Sequence, residues 1–307
     1  MSEPLNPFHL PGSEPMQLLC PWRHPDHREL YVAIDNTEQE FIGFVRKMGD
    51  LATLLEHGQL VLVTGESGCG KSALINRCAD WASTKLKGLG WVSEVLDLTR
   101  TLNGMPQQSI ENRLSSTCSA LITELEMRGA LRSDAVSELR PDRDRPDQIF
   151  PRLHRALIDD LALIILLPNP GDLKNEVIRY AGLARGRILF LVESAFLGER
   201  DVEAICHAQR DWIRPITLRV GVLNPGDVVK FVTHRLRIRS NQGIYPRMSE
   251  TTMDFVADWL PSIAQLQLAL SEVYEIRRHS GPPYDERSWV TDDDIRRQRR
   301  NWRGDGR

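Results

Sequence analysis

Residues 60–72, LVLVTGESGCGKS, restrict the possible folds of this chain more than any other segment. The apolar run LVLV predicts a buried parallel strand, because such strands are short and apolar on both faces. Directly after it, Gly65, Gly70, Lys71 and Ser72 satisfy the spacing G-x-x-x-x-G-K-[ST]. Residues 73–78 predict a helix, so the motif lies between a strand and a helix, where phosphate-binding loops occur.

The residue types of this loop suit a nucleoside triphosphate with Mg²⁺. Glycines let backbone N–H groups curl around phosphates, and Lys71 brings a positive charge to the β- and γ-phosphates for binding and catalysis. The Ser72 hydroxyl suits the Mg²⁺ shell. We therefore predict ATP and Mg²⁺ as cofactors, with Ser72 as the metal ligand and a loop formed by Gly65, Glu66, Ser67, Gly68, Cys69, Gly70, Lys71, Ser72 and Ala73. The positive potential of the loop acts to lower the pKa of the Cys69 thiol, but the favoured interpretation of this cysteine is a small filler without a redox role.

Composition indicates an ordinary globular protein rather than a strongly basic nucleic-acid-binding protein or a disulfide-rich secreted protein. The chain has 307 residues, 41% hydrophobic and 26% charged, with a formal net charge of -3. Its five cysteines show no C-x-x-C spacing, which disfavours a disulfide framework or a zinc site. No signal peptide is apparent, and the longest apolar run, residues 161–167, is too short to span a membrane. We expect a cytoplasmic protein without membrane contact.

Five apolar runs separated by helical patterns predict an α/β fold with a parallel sheet covered on both faces. The predicted strands are residues 60–63, 91–98, 161–167, 187–193 and 216–223. One helix is predicted from Thr37 to about residue 57, and the charged, proline-bearing stretch 128–151 is predicted to be a surface loop. Beyond residue 224 only helices are predicted. The predicted organisation is an N-terminal arm (1–36), a nucleotide-binding core (37–223), a small helical lid (224–280) and a C-terminal basic tail (281–307).

The chain resembles the AAA+ class of P-loop ATPases over roughly residues 6–295, and within it the branch of origin-recognition, transposition-helper and STAND signalling ATPases. The phosphate loop is the specific mark of this resemblance. Supporting marks are NPF at residues 6–8, LNPGD at 223–227 followed by Phe231 and Arg235, and WVTD at 289–292. The resemblance implies a five-stranded core with a helical lid that closes over ATP.

Two family positions lack their usual residues here. The family pattern implies an acidic pair at the end of the third strand, whereas this chain has LLPNP at residues 166–170. Glu193, at the end of the next strand, is the candidate substitute, although a solvent-facing glutamate fits equally well there. The family also implies a lid arginine near the γ-phosphate, but SIAQ at 262–265 ends in Gln265. Arg210 and Arg214 match the region that supplies an arginine finger to a neighbouring subunit.

The resemblance and these departures predict a nucleotide-dependent switch or assembly ATPase with slow or absent hydrolysis. Self-association or a protein partner would then carry the output. The alternative is a DNA-associated helper ATPase that oligomerises on duplex DNA, for which the basic tail is a candidate contact. The net negative charge weighs against it, and a flexible, solvated tail is the favoured explanation of the arginines. A small-molecule kinase or a GTPase is the least favoured class, because nothing resembles a dedicated acceptor site and the [NT]-K-x-D guanine signature is absent.

Overall fold

The computed structural model describes residues 6–10, 18–101, 109–170, 173–208, 214–240, 243–258, 260–280 and 282–304. Its contacts divide the chain into two compact units. We call Gln39–Gly65 together with Leu74–Arg219 the sheet unit, and Met1–Glu38, Glu66–Ala73 and Val220–Arg307 the lid unit. The phosphate loop therefore groups with the lid unit, although the strand before it belongs to the sheet unit.

A five-stranded parallel sheet forms the centre of the sheet unit, which confirms the predicted α/β class. The strands are β1 Gln59–Thr64, β2 Val92–Asp97, β3 Leu161–Leu166, β4 Ile188–Ser194 and β5 Ile216–Arg219. Their order across the sheet is β2-β3-β4-β1-β5, so β1 lies between β4 and β5. All six residues of β1 and of β3 are buried, as expected for a parallel strand covered on both faces.

Helices connect these strands, and two of the predictions for them are wrong. The helices are α1 Thr37–Met48, α2 Ala52–His57, α3 Lys71–Gly88, α4 Ile110–Met127, α5 Ser133–Leu139, α6 Pro146–Ala156, α7 Leu173–Leu183 and α8 Glu199–His207. The single helix predicted over 37–57 is broken because Gly49 and Leu51 both take positive φ angles, 55° and 68°. The predicted surface loop at 128–151 instead contains α5, a short 3-10 helix and the start of α6.

Apolar faces hold α5 and α6 in place despite the high charge of this stretch. Ala135 and Leu139 of α5 are buried, and α6 buries Ile149, Phe150 and Leu153. Phe150 meets Phe190 of β4 edge to face, with ring centroids 5.4 Å apart. This segment is thus part of the core of the sheet unit.

The lid unit is mostly helical, with a short pair of strands. It contains α9 Asp227–Arg239, α10 Glu250–Ala257, α11 Ile263–His279 and α12 Asp292–Gly304, and β6 Arg247–Met248 pairs in parallel with β7 Trp289–Val290. The expectation of no strand beyond residue 224 is therefore wrong, and the predicted flexible tail is helical over α12. Across the ranges described above, no helix is long and apolar enough to cross a membrane.

The N-terminal segment is anchored in the lid unit through Asn6 and Phe8. The Phe8 side chain is fully buried, with its ring centroid 4.9 Å from that of Tyr274 and 6.0 Å from that of Phe231. Asn6 donates a hydrogen bond of 2.6 Å to the Ser271 carbonyl and accepts one of 3.0 Å from the Phe8 amide. The aromatic ring and the amide pairs fix this segment against α9 and α11.

Candidate functional site

The phosphate loop has the backbone conformation that its sequence predicts. Gly68 and Gly70 take φ angles of 80° and 89°, which side-chain-bearing residues rarely adopt. Lys71 opens α3 and is largely buried, and its Nζ donates a hydrogen bond of 2.6 Å to the Glu66 carbonyl. Backbone amides, an ammonium group, the Ser72 hydroxyl and a helix N-terminus make a donor set that fits a triphosphate with Mg²⁺.

Cys69 inside this loop does not have an acidic thiol, which agrees with the favoured interpretation of this residue as a filler. Burial raises the pKa of the Cys69 thiol and outweighs the lowering effect of the Lys71 charge. The thiol therefore stays protonated at neutral pH, where it is a poor nucleophile. Cys69 acts as a small buried filler of the loop.

The N-terminus of α11 contacts the phosphate loop directly within the lid unit. The Ala264 amide donates a hydrogen bond of 3.0 Å to the Gly68 carbonyl. The contact is tight, because a Cβ on Gly68 would lie 2.9 Å from the Ser262 Oγ and 3.2 Å from the Ser262 Cβ. Ser262 also caps α11 by accepting a hydrogen bond of 3.4 Å from the Gln265 amide. Sequence reasoning noted residues 262–265 only for their missing arginine and did not find this contact.

The end of β3, where the family pattern places acidic residues, carries a different polar arrangement. Arg113 of α4 donates through Nη2 to the Asn169 carbonyl and forms an ion pair of 3.0 Å with Glu176 of α7. The Glu176 side chain is fully buried. Because Arg113 already neutralises it, this carboxylate does not replace a metal-binding acid. Two other acids are close to β3 in the sequence: Asp160 precedes the strand and thus lies at its opposite end, and Asp172 is outside the described ranges.

Glu193 lies at the carboxyl end of β4, in register with Val63 of β1. Two residues later in the chain, β1 leads into Gly65 and the phosphate loop. The Glu193 side chain is partly exposed, whereas the next residue, Ser194, is buried and accepts a hydrogen bond of 3.2 Å from the Phe196 amide. The role of Glu193 as a substitute for the missing acid stays a prediction.

Arg214 lies near the amino end of β1, opposite to the end that leads into the phosphate loop. Its carbonyl accepts a hydrogen bond of 2.8 Å from Gln59, the first residue of β1, and the Arg214 side chain is exposed. The role of Arg214 as an arginine finger for a neighbouring subunit stays a prediction. Arg210 lies outside the described residues.

The carboxylate of Asp227 joins the segment before α1 to the start of α9. Asp227 is 1% exposed and accepts hydrogen bonds from the amides of Asp35 (2.8 Å) and Asn224 (2.7 Å), while Lys230 bonds its other oxygen at 2.9 Å. Burial acts to raise the pKa of Asp227, but these hydrogen bonds hold it below its usual range. Burial raises the pKa of Asp35 to about 6. The sequence singled out LNPGD as a mark of resemblance without revealing this link.

No metal cluster accompanies these groups in the described part of the chain. No three or more His, Cys, Asp or Glu side chains there form a group that could hold a metal ion. Ser72, the predicted metal ligand, lies next to Lys71 at the start of α3.

Sheet order, phosphate loop and helical lid unit together give the chain the fold of AAA+ P-loop ATPases. The ORC1 protein of Aeropyrum pernix, solved in complex with DNA, matches over 91% of this chain and 68% of its own, with 15% identity and a TM-score of 0.56. The ADP form of the Aeropyrum pernix ORC2 protein matches over 95% of this chain and 70% of its own, with 11% identity and a TM-score of 0.54. The ORC2 structure with ADPNP and ADP gives a TM-score of 0.52 at 12% identity, over 85% of this chain and 65% of its own.

These likenesses are of fold, and they agree with the resemblance that the phosphate loop indicated. No family model matches the chain, and no curated protein matches it.

Proposed function

We propose that this protein binds ATP with Mg²⁺ and acts as a nucleotide-dependent switch or assembly ATPase with slow or absent hydrolysis. The observation that carries this proposal is the hydrogen bond from the Ala264 amide of α11 to the Gly68 carbonyl of the phosphate loop. A peptide group of the loop that would hold the phosphates is bonded directly to a lid helix.

This contact supplies a route from nucleotide to lid. Phosphates bind the loop through its backbone amides, so the orientation of the peptide at Gly68 matters both to the nucleotide and to α11. A nucleotide shifts the lid only by as much as it binds one arrangement better than the other. ATP and ADP differ at the γ-phosphate, and the two therefore stabilise different surfaces for a partner or a second subunit.

Slow or absent hydrolysis is supported by the two missing residues. The end of β3 offers Pro168 and Asn169 instead of an acid, and α11 begins with Ile263, Ala264 and Gln265 instead of an arginine. Removing one charge contact with a transition state commonly costs about 3 kcal/mol, a hundredfold or more in rate. Glu193 is our candidate for the carboxylate that supports any residual turnover, and Arg210 and Arg214 are the candidates for a contact with the next subunit.

A DNA-associated helper ATPase is the second candidate, because one of the fold neighbours was solved in complex with DNA. In this chain, α12 carries Arg296 and Arg297, and the Arg296 guanidinium lies 4.8 Å from the centre of the Phe255 ring. If α12 contacts DNA phosphates, binding weakens steeply as salt is added.

Titration of Mg-ATP into the purified protein tests nucleotide binding. We expect a saturable heat for the natural protein and for Lys85→Ala, which changes an exposed lysine of the same helix α3. Lys71→Ala should abolish the heat. If Lys71→Ala bound Mg-ATP as tightly as Lys85→Ala, the proposed site would be wrong.

Light scattering coupled to gel filtration separates the two candidate functions. Growth in mass with ATP but not with ADP supports the switch or assembly ATPase, whereas growth only with duplex DNA supports the helper.

Phosphate release by Glu193→Gln, compared with Glu203→Gln on the exposed face of α8, tests whether Glu193 replaces the missing carboxylate. Equal turnover in these two variants would rule out Glu193.

A further inference from the structure

Arg235 of α9 is a buried arginine that has no acidic partner among the described residues. Its side chain is 3% exposed, and in the described part of the chain neither its Nε nor its Nη1 has a hydrogen-bond partner. The face of the guanidinium lies against Phe231, with Cζ 5.1 Å from the ring centre. No described carboxylate forms an ion pair with it.

The stacking on Phe231 does not satisfy the donors of Arg235. An aromatic ring attracts the face of a guanidinium group, whereas the N–H bonds lie in its plane. Buried charges in proteins are ordinarily paired and hydrogen-bonded, because an uncompensated charge costs several kcal/mol. The two in-plane donors of Arg235 are therefore open to an acceptor that Phe231 cannot supply.

Two further polar groups lie in the same neighbourhood. Arg239, one helical turn later, is 8% exposed and donates a hydrogen bond of 3.3 Å to the His9 carbonyl. The Arg239 charge acts on Arg235 and on Tyr245, and Tyr245 belongs to the same buried cluster as Phe231, on which Arg235 stacks. Among the residues that the structure describes, the buried Tyr245 hydroxyl has no hydrogen-bond partner.

The Arg235 side chain is positively charged at neutral pH. Burial, with the nearby charge of Arg239, lowers the pKa of Arg235 to about 9, which still leaves the guanidinium protonated. Two cations one turn apart repel each other, and an anion between or beside them would remove that repulsion. A small oxyanion also accepts hydrogen bonds from a tyrosine hydroxyl.

We propose that Arg235, with Arg239 and the Tyr245 hydroxyl, forms a binding site in the lid unit for a small oxyanion, a carboxylate or a phosphate group. This site uses none of the residues of the phosphate loop. The anion would stabilise the lid unit independently of ATP, by compensating the charge that α9 buries.

Calorimetric titration with inorganic phosphate, and separately with acetate, tests this proposal in a Lys71→Ala background that removes binding at the phosphate loop. We expect one saturable site for at least one of the two anions, and the anion that binds more tightly identifies the ligand class. Arg235→Met should lose this site at least tenfold in affinity. Arg237→Met, which changes an exposed arginine of the same helix, should keep it.

Thermal denaturation distinguishes this role from a purely structural arginine. If Arg235 carries an uncompensated charge, Arg235→Met should melt at an equal or higher temperature than its parent without anion, and should no longer gain stability from the anion. Tyr245→Phe, which removes only the hydroxyl, should weaken binding while the fold is kept. Absence of a saturable site for both anions, or equal binding by Arg235→Met, would overturn the proposal.

Discussion

Gly68→Ala offers the sharpest test of the contact between the phosphate loop and α11. The new methyl group would lie 2.9 Å from the Ser262 Oγ, 3.2 Å from the Ser262 Cβ and 3.4 Å from the Ala264 Cβ. Carbon atoms in good contact are 3.5–4.0 Å apart, so α11 must move or detach from the loop. The φ angle of 80° adds backbone strain to this crowding.

The size of the effect follows from the cheaper of two responses. Overpacking that forces neighbours to shift costs about 1–3 kcal/mol, whereas release of α11 gives up one hydrogen bond, worth about 0.5–1.5 kcal/mol. Release of α11 from the loop is therefore the favoured response. Loss of this contact contributes about 1 kcal/mol to the destabilisation caused by Gly68→Ala. Backbone strain adds about 1–2 kcal/mol for an alanine in the left-handed region.

Gly90→Ala is the matched control for this strain. Gly90 has a φ angle of 85°, and a methyl group there would meet nothing within 4 Å. Urea unfolding should thus show Gly68→Ala to be less stable than Gly90→Ala by about 1 kcal/mol. In a Ser262→Gly background the closest atoms are gone, and a glycine cap costs only a few tenths of a kcal/mol. The difference between the two alanine variants should then shrink. Equal costs for both in the natural background would refute the contact.

Three further perturbations test other parts of the structure. Phe8→Ala should lower the free energy of unfolding by about 3–5 kcal/mol, because a fully buried ring is lost from the lid unit, while Leu18→Ala at a 55% exposed leucine should change it little. Arg113→Met should cost about 3–5 kcal/mol by leaving Glu176 buried and uncompensated, and combining it with Glu176→Leu should restore most of the loss; an unrestored double variant in urea unfolding would contradict this. Because burial raises the pKa of Asp35 to about 6 from 3.8, the folded protein keeps a proton that the unfolded chain releases, and stability should fall as the pH rises from about 4 to 6. Asp35→Asn should remove this slope from unfolding measured across that range, and an unchanged slope would argue against the shift.

The strands could be predicted because parallel strands buried on both faces are short apolar runs. β1, β3 and β4 begin and end within one or two residues of their predicted bounds. The phosphate loop was equally clear, since only particular residue types can wrap a phosphate at that spacing. Local chemistry decides these elements, and the sequence displays it.

The errors have a different cause, since tertiary contacts decide those elements. In residues 128–151 the charged side chains obscured the apolar faces of α5 and α6, and burial against the sheet unit stabilises these helices. The break at Leu51 depends on a left-handed residue that carries no glycine signal. Gly68 and Ser262, which are close in space, are 194 positions apart in the sequence, and the paired Arg113 and Glu176 are 63 positions apart. A local sequence pattern cannot predict contacts over such separations.

The missing lid arginine and the Gly68 contact both bear on how lid closure is coupled to ATP hydrolysis. A lid arginine couples closure to hydrolysis, since it acts both on the lid and on the charge that develops at the γ-phosphate. In our proposal, the hydrogen bond from the Ala264 amide to the Gly68 carbonyl supplies the first of these effects without the second. A chain with this pair of features would keep the response of its lid to nucleotide while its turnover falls. Lid closure and hydrolysis should therefore respond separately to mutation: Gly68→Ala should weaken the ATP-dependent change in assembly, and Gln265→Arg should raise turnover if the lost charge is what limits it.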